Sequence, residues 1–97
     1  MTGKDFLTLL LVSYGFTEVK ISLYKGEGGA QGYEIEAYNK EIDDWFTEEN
    51  CEGLMFNIRY IIDYMQENGI DTSYPFNCWY TPKEILKEVS KTSIDHE

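Results

Sequence analysis

The chain has 97 residues, with 18 acidic and eight basic side chains, and a formal net charge of −10. Hydrophobic residues make up 42% and aromatic residues 15% of the sequence. This content is enough for a folded core and argues against intrinsic disorder, which requires high charge together with few aromatics. No run of about 18 apolar residues is present, so we expect no membrane span. The negative charge argues against direct binding to nucleic acid or anionic lipid, because phosphate binding depends on Lys and Arg.

The N-terminus and the cysteines bear on the compartment. Residues 1–5 lack the basic start and the small-residue cleavage site of a signal peptide, so we expect a cytoplasmic location. There Cys51 and Cys78 are expected to remain reduced thiols rather than to form a disulfide. Neither an internal repeat nor a linker composition is present. We therefore predict one domain over residues 1–97, with a frayed tail at residues 92–97.

The first third of the chain carries signals for a helix and a strand. Thr2 and Asp5 have the spacing of a capping box, which predicts a broadly apolar first helix, and Gly15 is suited to end it. Residues 18–24 alternate between polar and apolar side chains, the pattern of a half-buried strand. Four glycines between residues 25 and 32 indicate a hairpin loop. A phosphate-binding loop is not expected, because the segment contains an acid, lacks the Lys-Ser/Thr ending and precedes a strand.

Two further strands are predicted in the middle of the chain. Residues 33–38 alternate again, with two glutamates and a tyrosine on one face. Asn39-Lys40 is suited to a two-residue turn. Residues 41–46 then form a short third strand.

Two helices are predicted in the second half. Thr47-Glu48-Glu49 opens a long helix with acids in its first turn, where the helix dipole favours them, and Gly69 ends it. A buried aliphatic stripe at three-four spacing begins at Cys51. The sequence Thr-Pro-Lys-Glu at residues 81–84 is a start signal for a last helix, which runs to about Lys91.

The element order is therefore α-β-β-β-α-α. Strands that follow one another with short connections favour antiparallel pairing, and the apolar helix stripes must be covered by the sheet. The fold class that we expect is α+β: a three-stranded antiparallel meander with the helices packed mainly on one of its faces.

Phe56, Tyr60 and Tyr64 fall on the side of the long helix opposite to its buried stripe. One interpretation is that residues 70–80 and the last helix cover these aromatics. The other is that they form a partly exposed surface with flanking acids, the composition of an interface anchor. In that case the chain would be a structural or assembly module, with a homodimer formed through this aromatic helix face.

Most of the negative charge lies in one segment. Residues 34–52 contain eight acids and one base, a net charge of −7. Such a segment is either a solvated surface or a face that binds a basic partner. Carboxylates two residues apart on a strand lie about 6–7 Å apart, and those three or four apart on a helix lie about 5–6 Å apart. These spacings approximate the step between phosphates along a nucleic-acid strand.

Other chemistries have weaker support. Asp43, Asp44 and Glu48 could ligate Mg²⁺ or Ca²⁺ in principle, but the calcium-loop pattern is absent. Cys51 is interpreted as a packed thiol rather than a nucleophile. His96 lies in the expected frayed tail and is a poor general base there. We therefore expect no catalytic activity, no metal site and no cofactor.

In size, acidity and order of elements, the chain resembles the small phage-encoded anti-CRISPR proteins that act as DNA mimics. The acid-studded strands and turn from Glu34 to Glu49 carry the resemblance, which covers most of the chain at the level of architecture. The aromatic loop at residues 76–79 has no counterpart in it. The resemblance implies a CRISPR effector nuclease as the partner, steric occlusion of nucleic acid as the mechanism, and the host cell cytoplasm as the location.

The sequence thus supports the hypothesis of a non-catalytic acidic binding protein that inhibits a basic, nucleic-acid-binding partner. It is expected to be a monomer or homodimer and to bind neither nucleic acid nor membrane directly. A toxin-neutralising immunity protein belongs to the same physical class. The residues expected to bind the partner, with the two aromatics as anchors, are Glu34, Glu36, Tyr38, Glu41, Asp43, Asp44, Trp45, Glu48, Glu49 and Glu52.

Overall fold

The computed structural model of this chain describes residues 2–29, 31–73 and 75. The predicted last helix, the frayed tail, the aromatic side chains of residues 74–80, Cys78 and His96 lie outside the described residues. The elements in chain order are α1 (Gly3–Ser13), β1 (Phe16–Lys25), a short 3-10 turn (Glu27–Gly29), β2 (Gln31–Asn39), β3 (Asp44–Glu49) and α2 (Leu54–Glu67).

The three strands form one antiparallel sheet in the order β1-β2-β3. Helix α1 packs against β1, and α2 packs against β2 and β3. The sheet contributes to the core from a single face, which we call the inner face and which the helices cover. These findings confirm the α+β class and the antiparallel meander with helices packed on it. Its buried core side chains are Phe16, Ile21, Ile35, Ala37 and Phe46.

The helices supply the other half of the core at the spacing expected of amphipathic helices. The buried side chains of α1 are Leu7, Leu10 and Leu11, and the buried apolar side chains of α2 are Ile58, Ile61, Ile62 and Met65. Helix α1 begins as predicted, because Asp5 N–H donates to Thr2 Oγ1 at 3.1 Å and Thr2 N–H donates to Asp5 Oδ2 at 3.3 Å. Gly15, with φ of 90°, follows the end of this helix in the left-handed region. In the described part of the chain, no helix combines the length and the apolar content needed to cross a membrane.

The connection from β2 to β3 differs from the prediction. Asn39 pairs with Asp44, so the turn contains four residues (40–43) instead of two, and Asp43 adopts a φ of 49° within it. The third strand therefore begins at Asp44 rather than Glu41. Register explains the change, because this longer turn places Phe46 beside Ala37 on the inner face, where both side chains are buried.

Residues 47–49 were predicted to open the long helix, and that prediction is wrong. They continue β3 and pair with β2 as far as Glu34, so ladder hydrogen bonds outweigh the local capping preference of Thr47. Helix α2 begins only at Leu54, after Gly53, which has a φ of 122° and provides no side-chain cap. Cys51 consequently lies before the helix and is only half-buried.

Two buried asparagines hold the ends of β2. Asn57 of α2 accepts from Tyr33 N–H at 3.1 Å and donates to the Tyr33 carbonyl at 3.0 Å. Its amide thus takes the place of a further β3 residue, since the ladder between β2 and β3 stops at Glu34. At the other end, Asn39 donates to the Tyr14 carbonyl at 3.3 Å and accepts from Glu41 N–H at 3.0 Å. The central strand is therefore fixed to α2 at one end and to the end of α1 at the other.

Candidate binding surface

The sheet has a second face that helices α1 and α2 do not cover, which we call the outer face. Alternation along the strands places every second residue of each strand on this face, and the register of the sheet sets these residues side by side. It is formed by Lys20, Ser22 and Tyr24 of β1, Glu34, Glu36 and Tyr38 of β2, and Trp45, Thr47 and Glu49 of β3. Five of the ten predicted partner-binding residues belong to it.

An aromatic pair lies at one end of the outer face. Tyr38 and Trp45 are directly opposite each other on β2 and β3, with ring centroids 5.3 Å apart and the rings inclined by 50°. Trp45 is 43% exposed. Tyr38 OH donates to Asp43 Oδ1 at 2.6 Å, and this hydrogen bond raises the pKa of the tyrosine. The pair offers an oriented apolar platform beside a carboxylate, the kind of side-chain group that anchors protein interfaces.

A carboxylate row continues from the aromatic pair along the strands. Glu36 lies opposite Lys20 on one side and Thr47 on the other. Glu34 lies directly opposite Glu49, and both residues are exposed. Like charges at directly opposed positions of an antiparallel pair destabilise the sheet. The outer face therefore keeps an unfavourable acidic pair at a position where a cation from another molecule would lower the energy.

The outer face forms a shallow groove of about 640 Å³ along the middle of the sheet, lined in part by Glu34, Glu36 and Glu49. From Trp45 to Glu49 the strand advances four residues, which corresponds to about 13 Å. The groove and the aromatic pair together are long enough to contact a short peptide segment or one side of a helix. The chemistry available along this length is acceptance of hydrogen bonds by carboxylates and apolar contact with the indole.

Three predicted residues lie in or beside the turn at the aromatic end of the sheet. Glu41 is exposed in the turn and its backbone N–H is bonded to Asn39. Asp43 is engaged with Tyr38, as described. Asp44 lies on the inner side, where its Oδ2 accepts from Tyr64 OH at 2.7 Å. The adjacent acids Asp43 and Asp44 therefore bind tyrosines on opposite faces, and only the first of them borders the outer face.

Burial and this hydrogen bond raise the pKa of Tyr64 to about 12. Desolvation is the larger cause, because the ring packs between Phe16 and Phe46, with ring centroids 6.2 Å and 5.0 Å away. The carboxylate of Asp44 adds to the shift because it stabilises the protonated phenol. Asp44 thus has a structural role on the inner side of the sheet.

The two remaining predicted residues, Glu48 and Glu52, lie near the opposite end. With Glu49, Tyr24 and Tyr60 they help to line a second depression of about 490 Å³. Partial burial raises the pKa of Glu48, and the nearby carboxylates Glu52 and Glu49 add to this effect. A hydrogen bond of 3.2 Å from Asn50 Nδ2 acts in the opposite direction. The helical spacing of carboxylates expected for this segment does not apply to Glu48, Glu49 and Glu52, because all three residues precede α2.

The aromatic side of α2 does not form one continuous exposed surface. Tyr60 is exposed, Phe56 is half-buried, and Tyr64 packs on the core and bonds to Asp44. The described residues contain no group of three or more His, Cys, Asp or Glu that could hold a metal ion.

Lys20 and Tyr24 belong to the outer face but were not among the predicted binding residues. The alternation of residues 18–24 places Lys20 and Tyr24 on the polar side of the strand, and this pattern is the sequence signal that could have identified them. Their pairing partners are not encoded locally, because a register shift lies between Thr17 and Lys20, where Glu18 has a φ of 53°. The contribution of β1 to the surface therefore becomes visible only with the strand register.

No protein-family model matches this chain, and no match was found among curated proteins or solved structures.

Proposed function

We propose that this protein is a non-catalytic binding protein that inhibits a basic, nucleic-acid-binding protein by occupying its nucleic-acid groove. The outer face is the contact surface, with Glu34, Glu36 and Glu49 in place of phosphates and Trp45 with Tyr38 as the aromatic anchor. By resemblance to the DNA-mimic anti-CRISPR proteins, a CRISPR effector nuclease is the partner class to test first.

The observation that carries the proposal is the direct opposition of Glu34 and Glu49 beside an exposed tryptophan. The acidic pair opposes the fold because the opposed carboxylates repel, and the indole adds only a modest contribution because it lies outside the core. Both features suit a partner, since arginine and lysine side chains can bridge two carboxylates and pack on an aromatic face. A local conflict of this kind is most often found at functional sites.

Inhibition follows from occupancy without any chemical step. The net charge of −10 accelerates encounter with a positively charged groove, and this attraction weakens as salt screens it. Once bound, the carboxylate row satisfies the cations that would otherwise contact phosphates, so nucleic acid and this protein compete for the same side chains. Asp44 is outside this contact set because its carboxylate is used by Tyr64 on the inner side.

The test is retention of host proteins on the immobilised protein, with two charge-matched variants. Glu34→Gln with Glu49→Gln removes two charges from the outer face. Asp63→Asn with Glu67→Gln removes two charges from exposed positions of α2. We expect the outer-face variant to weaken retention by about tenfold or more, and the α2 variant to leave it nearly unchanged.

The retained protein should contain a basic nucleic-acid-binding domain, and duplex DNA should release it in competition. When the retained protein is purified and mixed with its target DNA, it should lose DNA binding on addition of this protein. It should keep DNA binding on addition of the outer-face variant. The proposal fails if both variants weaken retention equally, if Trp45→Ala has no effect, or if retention is insensitive to salt.

A further inference from the structure

The two edge strands of the sheet, β1 and β3, differ in length and in charge. β3 is six residues long and carries Asp44, Glu48 and Glu49. β1 is ten residues long. Between Lys20 and Lys25 it pairs residue by residue with β2, so its other edge presents a regular row of backbone donors and acceptors. In the described part of the chain, no strand pairs with that edge.

Charge distinguishes the β1 edge from the rest of this acidic molecule. Residues 19–26 contain no carboxylate and two lysines, Lys20 and Lys25, although the chain as a whole has a net charge of −10. Two copies that approached through their β3 edges would oppose acids to acids. The β1 edge is the strand edge at which two copies can meet without that repulsion.

Exposure of apolar groups also points to the β1 edge. Leu23 is 49% exposed, although it lies on the inner face beside Ile21, which is only 7% exposed. Tyr24 is exposed on the outer face of the same strand end. Leu23 thus presents an exposed apolar side chain at the β1 edge of the sheet.

We propose that β1 pairs with β1 of a second copy, antiparallel about a two-fold axis at Ser22. Such an interface is self-complementary, because each contact occurs twice. In this register Ile21 faces Leu23 of the second copy on the inner side. On the outer side Lys20 faces Tyr24 of the second copy, and the two Ser22 side chains meet at the axis. The pairing ends at the irregularity between Thr17 and Lys20, which confines it to the regular part of the strand.

The side-chain pattern of β1 is self-complementary about Ser22, and for this reason we propose a second copy as the occupant rather than a peptide. Each β1 offers one lysine and one tyrosine on its outer side, and the two-fold axis matches them as cation and aromatic ring. The contact is small, so a reversible, concentration-dependent dimer is expected. Because strands lie about 4.8 Å apart, the outer faces of both copies would lie side by side on one six-stranded sheet.

The test is the molar mass in solution, measured by light scattering and sedimentation from about 10 µM to about 1 mM. We expect the dimer fraction to rise with concentration. Leu23→Lys should raise the dimer dissociation constant by about tenfold or more, because it places a charge opposite Ile21 of the second copy. Val12→Lys is the matched control: Val12 is 54% exposed on helix α1 and does not belong to β1, so this change should leave the dimer intact.

A cross-link tests the register independently of any folding defect. In a background with Cys51→Ser and Cys78→Ser, Ser22→Cys should give a covalent dimer under mild oxidation, whereas Thr47→Cys, exposed on β3, should not. A monomer at all concentrations overturns the proposal, as does a dimer that is insensitive to Leu23→Lys. Neither measurement involves the inhibited partner, so this inference and the proposed function can fail separately.

Discussion

The two faces of the sheet differ in what satisfies their side chains. On the inner face, apolar residues are packed by both helices, and the buried amides of Asn39 and Asn57 have hydrogen-bond partners. On the outer face, Glu34 and Glu49 oppose each other and Trp45 stands half exposed. The inner face supplies most of the stability of the fold, whereas the outer face keeps an acidic pair that opposes it and an indole that contributes little to it. That difference is the reason for assigning function to the outer face.

Two tyrosines, one on each face of the sheet, show the same difference in environment. Tyr64 on the inner side and Tyr38 on the outer side each donate to one of two adjacent acids, Asp44 and Asp43. Packing between two phenylalanines adds desolvation to the first pair, whereas the second pair is largely in solvent. An equal hydrogen bond therefore has unequal consequences on the two faces.

The largest expected difference concerns neighbours on β3 that point to opposite faces. Phe46 is 5% exposed in the core, so Phe46→Ala should lower the free energy of unfolding by about 3–5 kcal/mol. Trp45→Ala removes mainly the ring contact with Tyr38 and should cost about 0.5–1.5 kcal/mol. Denaturant unfolding at neutral pH measures both. Equal losses would show that the outer face supports the fold as much as the inner face does.

The buried amide of Asn57 should have the next largest effect. Asn57→Ala leaves the N–H and carbonyl of Tyr33 without partners, and we expect a loss of about 2–4 kcal/mol. Asn68→Ala is the matched control at the C-terminal cap of the same helix: the Asn68 amide donates to the Tyr64 carbonyl in an exposed position, and the loss should not exceed about 1 kcal/mol. A similar loss for both asparagines would mean that the two hydrogen bonds between Asn57 and Tyr33 have no special role in holding β2.

The two tyrosines should separate in alkaline solution. The pKa of Tyr64 is raised to about 12 from its ordinary value of 10.0, so folding opposes its ionisation. Its contribution to stability is complete below pH 10 and is lost as the pH rises through 12. Tyr64→Phe should therefore flatten the decline in unfolding free energy over this range more than Tyr38→Phe does. An identical decline in both variants would contradict the assignment of desolvation to Tyr64.

The smallest effect is expected at the opposed glutamates, and its sign is positive. Glu34→Gln and Glu49→Gln should each stabilise the protein by about 0.2–1 kcal/mol at low salt. The double variant should gain less than the sum, because either change alone removes the repulsion. At about 1 M salt the gain should largely vanish. Destabilisation by either change would show that the pair is satisfied within the molecule.

The parts of the fold that could be predicted from the sequence depend on local signals. The capping box of Thr2 and Asp5 and the alternation in β1 and β2 were sufficient for those elements, because period and capping are properties of neighbouring residues. The start of α2 could not be predicted in this way. Thr47 followed by two acids is a good local helix start, but pairing with β2 is a distant interaction that the segment itself does not display.

Local sequence patterns predict even less of the candidate surface than of the fold. Period two was enough to place Glu34, Glu36 and Tyr38 on one face. The partners across the strands depended on turn length: a two-residue turn at Asn39-Lys40 would have placed Tyr38 opposite Glu41. The four-residue turn places it opposite Trp45 and sets Glu34 against Glu49. The aromatic pair and the opposed acids are thus products of a register that no local pattern contains.

The fastening of β2 at both ends has a consequence for what this small protein can tolerate. Since Asn39 and Asn57 secure the central strand from the helix side, exposed outer-face positions such as Glu36 and Thr47 can vary with little effect on the sheet. The residues that hold the fold together are therefore largely separate from the residues of the outer face, which can be exchanged. A chain built this way offers a compact frame on which new recognition surfaces could be selected by substitution on three short strands.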